Sequence, residues 1–323
     1  LKKALESFWK GDVSEAELQK TAAELRKSVW QVQKDNGIDL ITSNDFSFYD
    51  QVLDMICLLG AVPERYKWNG DDVNLNTYFA MARGSQTKDL DVGALEMTKW
   101  FDTNYHYLVP ELKKDQNFKI SSQKPFDEFN EAKNAGFETK PVILGPITFL
   151  LLAKSIDGSS TIDLLDKILP VYKEIVKKLN ELGAKWIQID EPIFVKDLND
   201  GVISKIKNTL NEIKSSAGES KILLTTYFES IDKKVKDEVF TSNVDAVHLD
   251  LVRGEKNKDY IKNSNKKLSL GVVNGRNIWK SDLSKIIDEL KEVSDDFIIS
   301  SSCPLLHTPY DLDLETKVPG EIK

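Results

Sequence analysis

The sequence predicts an α/β protein in which parallel strands close into a (β/α)8 TIM barrel, with a helical extension in front of it. Apolar strand segments alternate with amphipathic helical segments along most of the 323 residues. Several strand segments are continuous apolar runs, which is typical of strands buried on both faces of a parallel sheet. Eight such segments favour a closed barrel. A doubly wound open sheet is the alternative, and it is weakened because no glycine-rich dinucleotide-binding motif follows any strand.

The first predicted element is a helical segment, for which we set the boundaries at residues 1–37. Ser14 and Glu17 have the spacing of a capping box at the start of a helix. Gly37 then ends the helical pattern, so that residues 38–323 remain for the barrel. The predicted apolar face of the helix consists of Leu18, Ala22, Leu25, Val29 and Val32.

The barrel strands follow in chain order. They are predicted at Asp39–Thr42, near Met97–Phe101, and at Pro141–Leu144, Trp186–Ile189, Ile222–Thr226, Ala246–Leu249, Leu268–Val273 and Phe297–Ser301. Helices are predicted between some of them at Asp163–Leu182, Val202–Ile213 and Leu283–Val293.

Composition excludes several classes of function. The chain carries 44 Lys and Arg against 52 Asp and Glu, a net charge of −8, which argues against nucleic-acid binding. No apolar run approaches the roughly 18 residues of a membrane span, and no signal peptide is visible. The two cysteines, Cys57 and Cys303, cannot build a disulfide framework, so we expect a cytoplasmic protein. Because the chain starts at Leu1 without Met, we also expect it to be a piece of a longer protein.

In a barrel, functional side chains lie at the carboxyl ends of the strands. We therefore expect the polar residues that follow the predicted strands to face one mouth. They are Ser43, Asn44, Asp45, Asp102, Asn104, His106, Thr148, Asp190, Glu191, Tyr227, Glu229, His248, Asp250, Asn274, Arg276, Cys303 and His307.

Two adjacent carboxylates end the strand in Trp186-Ile-Gln-Ile-Asp-Glu-Pro192. Asp190 is a candidate to orient a substrate amine or to act as a base. The structural alternative is that Asp190 or Glu191 caps the next helix or pairs with Arg276. The sequence leaves both interpretations open.

A second candidate site combines His248, Asp250 and Cys303, which supply nitrogen, oxygen and sulfur donors suited to zinc. Spacing this loose is weak evidence, because His and Cys are as readily buried and hydrogen-bonded as metal-bound. Cys57 lies on an apolar helical pattern and is interpreted as a core thiol.

A third candidate is the segment Met97-Thr-Lys-Trp-Phe-Asp-Thr-Asn-Tyr-His-Tyr107. Its aromatic residues beside Lys99 suit a ligand with an apolar body and an anionic group. The alternative is a half-buried strand whose Lys99 extends into water. At the amino terminus, Lys2 and Lys3 either meet an anionic group or are simply solvated.

Five segments together carry a family resemblance. They are Leu-Lys-Lys-Ala-Leu-Glu-Ser-Phe-Trp at 1–9, Glu-Met-Thr-Lys-Trp-Phe-Asp-Thr-Asn-Tyr-His-Tyr at 96–107, Gln-Ile-Asp-Glu-Pro at 188–192, Gly-Arg-Asn-Ile-Trp at 275–279 and Ser-Ser-Cys-Pro-Leu-Leu-His at 301–307. In this order the chain resembles the N-terminal half of cobalamin-independent methionine synthase.

The resemblance implies a two-barrel enzyme that transfers the methyl group of 5-methyltetrahydropteroyltri-L-glutamate to homocysteine without cobalamin. It implies that the catalytic zinc lies in a C-terminal barrel, which is absent from this chain and would be its partner. This half would then hold no catalytic residue and would be inactive alone. Lys2, Lys99 and Asn104 would contact the glutamyl tail of the folate.

The same resemblance implies a vestigial, metal-free site in this half. His248 and Asp250 stand where the catalytic barrel of the family has His-x-Cys, and Cys303 stands near its last Cys.

Two other functions are kept as alternatives. A barrel enzyme similar to uroporphyrinogen decarboxylase would need an arginine cluster at the mouth, whereas only Arg253 and Arg276 follow strand ends. The other alternative is a scaffold domain that binds no ligand.

Overall fold

A computed structural model describes residues 1–262, 264–291, 293, 296–308 and 311–321. One curled sheet of seven parallel strands forms its centre, and the order of strands across the sheet follows the order along the chain. The strands are β1 (Ile41–Ser43), β2 (Thr139–Leu144), β3 (Trp186–Asp190), β4 (Lys221–Thr225), β5 (Ala246–Asp250), β6 (Lys267–Val273) and β7 (Phe297–Ser301).

The helices precede the sheet or connect its strands. They are α1 (Lys2–Lys10), α2 (Glu15–Asp35), α3 (Gln51–Leu58), α4 (Leu75–Arg83), α5 (Lys124–Asn134), α6 (Pro146–Leu152), α7 (Leu165–Glu181), α8 (Asp200–Ser215), α9 (Lys233–Thr241) and α10 (Leu283–Leu290). Short 3-10 helices lie at Glu64–Tyr66, Thr161–Leu164, Pro192–Val195, Glu255–Tyr260, Leu305–His307 and Leu312–Leu314. Within the described ranges, no helix is long and apolar enough to cross a membrane.

The α/β barrel class predicted from the sequence is confirmed, and seven of the eight predicted strands lie in the sheet. The strands are apolar on both faces because helices cover one side and the curled interior the other. In the parts of the chain that are described, no pairing joins β7 back to β1. The predicted helix 283–293 ends at Leu290, and residue 292 lies outside the described residues, as does the predicted end of the barrel at 323.

The strand predicted near Met97–Phe101 is wrong as a member of the barrel. Met97–Lys99 instead pairs antiparallel with His106–Leu108, and β1 pairs directly with β2. Six residues separate the two short strands, which is too few for a parallel crossover and suits a hairpin. The remaining short strands pair Ser85–Gln86 with Asp91–Val92 and Glu111–Leu112 with Lys154–Ser155.

The long helix α2 begins as the capping box predicts. The Glu17 amide donates to Ser14 Oγ (3.3 Å), and the Ser14 amide donates to Glu17 Oε2 (2.9 Å). Its buried face starts at Leu18 and Ala22 as predicted but continues through Arg26 and Trp30. The predicted Val29 and Val32 are exposed. The face departs from the apolar stripe because Arg26 is held by glutamates of α5 while Trp30 packs on Phe137.

Candidate functional site at the barrel mouth

The hairpin of residues 97–108 lies over the carboxyl ends of the last strands. Its tip, residues 100–105, contacts the loops that follow β4 to β7. Phe101 packs on Phe228 after β4 with ring centres 5.5 Å apart, and Tyr105 packs on His307 after β7 at 5.3 Å. These tip residues therefore reach one mouth together with the strand ends, as the sequence predicts for Asp102 and His307.

A single carboxylate links this tip to two strand ends. Asp102 Oδ2 accepts from Arg253 Nη1 at 2.7 Å, and Asp102 Oδ1 accepts from Arg276 Nη1 at 2.8 Å. Arg276 Nη2 also donates to the Asp102 carbonyl at 3.1 Å. Arg276 was a candidate partner for Asp190 or Glu191, and that pairing is wrong because Arg276 is directed to the hairpin.

The residues predicted to bind the folate tail are all exposed. Lys99 and Asn104 lie on the hairpin, and neither side chain forms a hydrogen bond or ion pair with another described residue. Lys2 is 89% exposed and has a single weak ion pair with Glu6 at 4.0 Å. No hydrogen bond joins Lys2 to the hairpin within the described part of the chain. The structure therefore brings Lys99 and Asn104 onto one element and leaves Lys2 on α1.

Asp190 is buried inside the curled sheet. Gln188 Nε2 donates to its Oδ1 at 2.7 Å and the Tyr227 hydroxyl donates to its Oδ2 at 3.2 Å. Burial raises the pKa of Asp190 to about 6, against these hydrogen bonds and the charge of Lys140, which lower it. Because both oxygens have internal partners, Asp190 is held in a polar network of the interior.

Glu191 caps a helix, but it is the preceding helix α6 rather than the next one. Its carboxylate accepts from the amides of Ile147 (3.0 Å) and Thr148 (2.6 Å) and from Thr148 Oγ1 (2.6 Å). Burial raises the pKa of Glu191 to about 7 although these donors favour the charged form. Gly145 is required beside it, because a Cβ there would collide with the carboxylate. Glu191 therefore caps a helix, but the predicted cap on the next helix is wrong.

The residues of the suspected vestigial site have other partners. His248 Nδ1 lies 3.0 Å from Ser269 Oγ, and Nε2 lies 3.4 Å from the Ser302 carbonyl. Because a carbonyl only accepts, Nε2 carries the proton and Nδ1 accepts from the serine hydroxyl. Burial lowers the pKa of His248 to about 4, which keeps the ring neutral.

Asp250 also has internal hydrogen-bond partners. Its Oδ1 accepts from the amides of Val252 (2.8 Å) and Arg253 (2.9 Å), and its Oδ2 accepts from the amide of Phe228 (3.1 Å). These bonds shape the turn after β5 and hold Phe228 at a φ of 88°. Cys303 is buried, and burial raises the pKa of its thiol to about 11.

These donors do not fit a zinc ion. A zinc ligand must offer a free lone pair or a thiolate, whereas His248 and Asp250 use their lone pairs in internal hydrogen bonds. Among the described residues, no group of three or more His, Cys, Asp or Glu side chains could hold a metal ion.

Comparison with known proteins decides the family. A family model described as "Cobalamin-independent synthase, N-terminal domain" matches residues 1–297. The chain belongs to this family. The resemblance found in the sequence is thereby confirmed.

Curated relatives of this synthase domain match along the whole chain. The 5-methyltetrahydropteroyltriglutamate–homocysteine methyltransferase of Salinibacter ruber is 44% identical over 338 residues, and that of Oryza sativa subsp. japonica is 45% identical over 337. Each match covers 100% of this chain and 44% of the relative. The chain therefore spans less than half the length of the curated relatives it matches.

Solved structures support the fold of the synthase domain. A B12-independent methionine synthase from Shewanella sp. W3-18-1, solved with selenomethionine, superimposes with a TM-score of 0.66. The match covers 93% of this chain and 85% of that one, at 16% sequence identity. At this identity the likeness concerns the fold alone.

Sequence reasoning missed one residue inside the synthase domain. Lys140 on β2 is buried, and its Nζ donates to Gln188 Oε1, which links it to the Asp190 network. Burial lowers the pKa of Lys140 to about 8. The sequence does contain an indication of this residue, because Lys140 is a lone lysine within the apolar run Thr139–Leu144.

Proposed function

We propose that this chain is the N-terminal domain of an enzyme that transfers the methyl group of 5-methyltetrahydropteroyltri-L-glutamate to homocysteine, forming methionine without cobalamin. One observation carries the proposal: relatives named for that reaction are 44–45% identical to it along its whole length. The contribution we assign to this domain is structural support and part of the binding of the folate glutamyl tail. A cytoplasmic location remains a prediction, supported by two cysteines that are both free thiols.

The hairpin is the part of the domain best suited to the tail. A triglutamyl tail is a flexible chain of carboxylates, which is recognised by fixed cations and by amide donors. Lys99 supplies an ammonium group and Asn104 an amide, neither of which has a partner among the described side chains and backbone groups. Both residues belong to an element held over the barrel mouth. Lys2 is proposed as a third contact, supported by its exposure at the start of α1.

The first test measures the tail contribution directly. Lys99→Gln and Asn104→Ala are each expected to weaken binding of the triglutamyl folate about tenfold, because each removes one charge-assisted or amide hydrogen bond. Binding of the monoglutamyl form should change less than twofold. Isothermal titration of both folates to the full-length enzyme measures the two affinities.

Lys185→Gln is the matched control for Lys99→Gln, since Lys185 is an exposed lysine that precedes β3 and lies at the opposite end of the sheet. It should leave both affinities unchanged. Equal losses for the two folates in Lys99→Gln would contradict a role in tail binding.

The second test concerns the division of labour between the halves. We propose that the catalytic zinc belongs to the C-terminal barrel, supported by the internal hydrogen bonds that occupy His248 and Asp250. The purified chain is expected to form no methionine from homocysteine and the methylated folate. Elemental analysis should find far less than one zinc per chain. Stoichiometric zinc that disappears in Cys303→Ala would overturn this proposal, as would methionine formed by the chain alone.

The ion pairs at the barrel mouth argue against the alternative of an enzyme similar to uroporphyrinogen decarboxylase. Arg253 and Arg276 both pair with Asp102, so neither is available as the arginine cluster that a porphyrinogen's carboxylates need. A ligand-free scaffold predicts that triglutamyl folate leaves the melting temperature of the full-length protein unchanged. A ligand that binds only the native state must raise it.

A further inference from the structure

We propose that Asp102 is a positioning residue for the folate tail, acting by fixing the hairpin tip so that Lys99 and Asn104 stay at the barrel mouth. The inference rests on the proposed function, because it concerns how the same tail site is held. Asp102 itself carries the wrong charge to contact a polyanion, so its role is exerted through the residues beside it.

The hairpin cannot hold this position by its own pairing. Its strands are only three residues each, and an isolated two-stranded hairpin is marginally stable in water. The base is fixed to the body of the protein, since the Leu108 amide donates to Asp50 Oδ2 at 3.2 Å and the Tyr107 hydroxyl donates to the Leu152 carbonyl at 3.2 Å. The tip lies beyond these anchors; Trp100 and Thr103 bury part of it, and its polar anchor to the loops comes from elsewhere.

Asp102 provides that anchor with polar bonds from two loops. Arg253 and Arg276 are 151 and 174 residues away along the chain, and they donate three bonds of 2.7–3.1 Å to Asp102. Although partial burial raises it, the two guanidinium groups hold the pKa of Asp102 below its usual range. The carboxylate therefore stays charged at neutral pH.

The aromatic contacts of the tip involve two residues with unusual backbone conformations. Phe101 has a φ of 52° and Phe228 a φ of 88°, conformations that non-glycine residues seldom adopt. The two rings nevertheless pack together, and the Arg276 guanidinium lies 5.4 Å over the Phe228 ring. Such backbone conformations persist only where surrounding contacts determine them. Asp250 holds Phe228 through its amide, and the Asp102 ion pairs act on the residue next to Phe101.

Because Asp102 is negatively charged, the direction in which its substitution changes tail binding tests the proposal. The Asp102 carboxylate faces two guanidinium groups at the hairpin tip, and Glu229 and Asp250 also act on Arg253. If electrostatics alone governed tail binding, Asp102→Asn would remove a negative charge and so strengthen binding of an anionic tail. If Asp102 acts by position, the same substitution weakens it.

The experiment compares Asp102→Asn, Asp102→Glu and the wild type in the full-length enzyme, with triglutamyl and monoglutamyl 5-methyltetrahydrofolate as probes. We expect Asp102→Asn to raise the triglutamate Kd about tenfold, to leave the monoglutamate Kd within about twofold, and Asp102→Glu to recover most of the loss. Hydrogen exchange of the amides at 100–105 without folate should accelerate about tenfold in Asp102→Asn, because the tip opens more often.

Glu138→Gln is the control, since it removes a carboxylate from an exposed ion pair with Lys185 (2.6 Å) outside the mouth. It should change neither affinity nor exchange. An Asp102→Asn enzyme that binds the triglutamate as tightly as wild type, or more tightly, overturns the inference if Lys99→Gln weakens binding in the same assay. If Lys99→Gln is also without effect, the proposed tail site fails and this inference with it.

Discussion

Replacing Glu191 with alanine is expected to lower the free energy of unfolding by about 3 kcal/mol. The substitution leaves the buried amides of Ile147 and Thr148 and the Thr148 hydroxyl without their acceptor. It also removes a negative charge from the amino end of α6. Urea unfolding followed by circular dichroism measures the change, and Glu181→Ala is the control.

Glu181 lies exposed at the end of α7, with a loose ion pair to Lys177 at 3.8 Å. Its replacement should change the free energy of unfolding by no more than about 0.5 kcal/mol. Equal losses for the two alanine variants would show that Glu191 is not the cap that the structure describes.

Glu191 is also expected to make the stability depend on pH. Burial raises its pKa from 4.5 to about 7, so its contribution to stability is fully present below pH 4.5 and is lost as the pH rises through 7. Between about pH 4.5 and pH 8 the loss amounts to about 3 kcal/mol. The free-energy difference between wild type and Glu191→Gln should therefore shrink as the pH rises. A difference that is constant across this range would contradict the raised pKa.

Replacing Arg26 with alanine should cost about 3 kcal/mol, because it breaks a buried ion-pair cluster between α2 and α5. Arg26 Nη2 donates to Glu131 Oε2 at 2.5 Å, and Nη1 lies 3.6 Å from Glu128 Oε1. Burial raises the pKa of Glu128 to about 6 even with Arg26 and Lys124 beside it. Without Arg26, the buried carboxyl loses one of its two compensating cations. Chemical unfolding measures the loss.

Arg65→Ala is the control for this second experiment. Arg65 also forms a two-bond ion pair, with Glu111, but its side chain is 38% exposed. Because the Arg65 side chain is far more exposed than the 9% exposed Arg26, its pair is expected to contribute only about 1 kcal/mol. If Arg65→Ala and Arg26→Ala destabilise the protein equally, burial of the Arg26 cluster is not what fixes the amino-terminal helices to the barrel.

The sequence by itself determined those features that depend on neighbouring residues. Continuous apolar runs located seven parallel strands, because burial on both faces leaves no room for alternation. The capping box placed the start of α2, since Ser14 and Glu17 satisfy each other's backbone within one turn. Five ordered segments were enough to indicate the family, which the family model then confirmed.

Only the tertiary structure decided which distant groups meet. Nothing local shows that Asp102 pairs with two arginines more than 150 residues away, that Glu191 caps the helix before its own strand, or that Asp250 holds a turn rather than a metal. Met97–Lys99 has the composition of a barrel strand, yet it folds into a hairpin because β1 pairs directly with β2. The partner of a polar side chain depends on how the sheet curls, and residues far apart in the chain set that curl together.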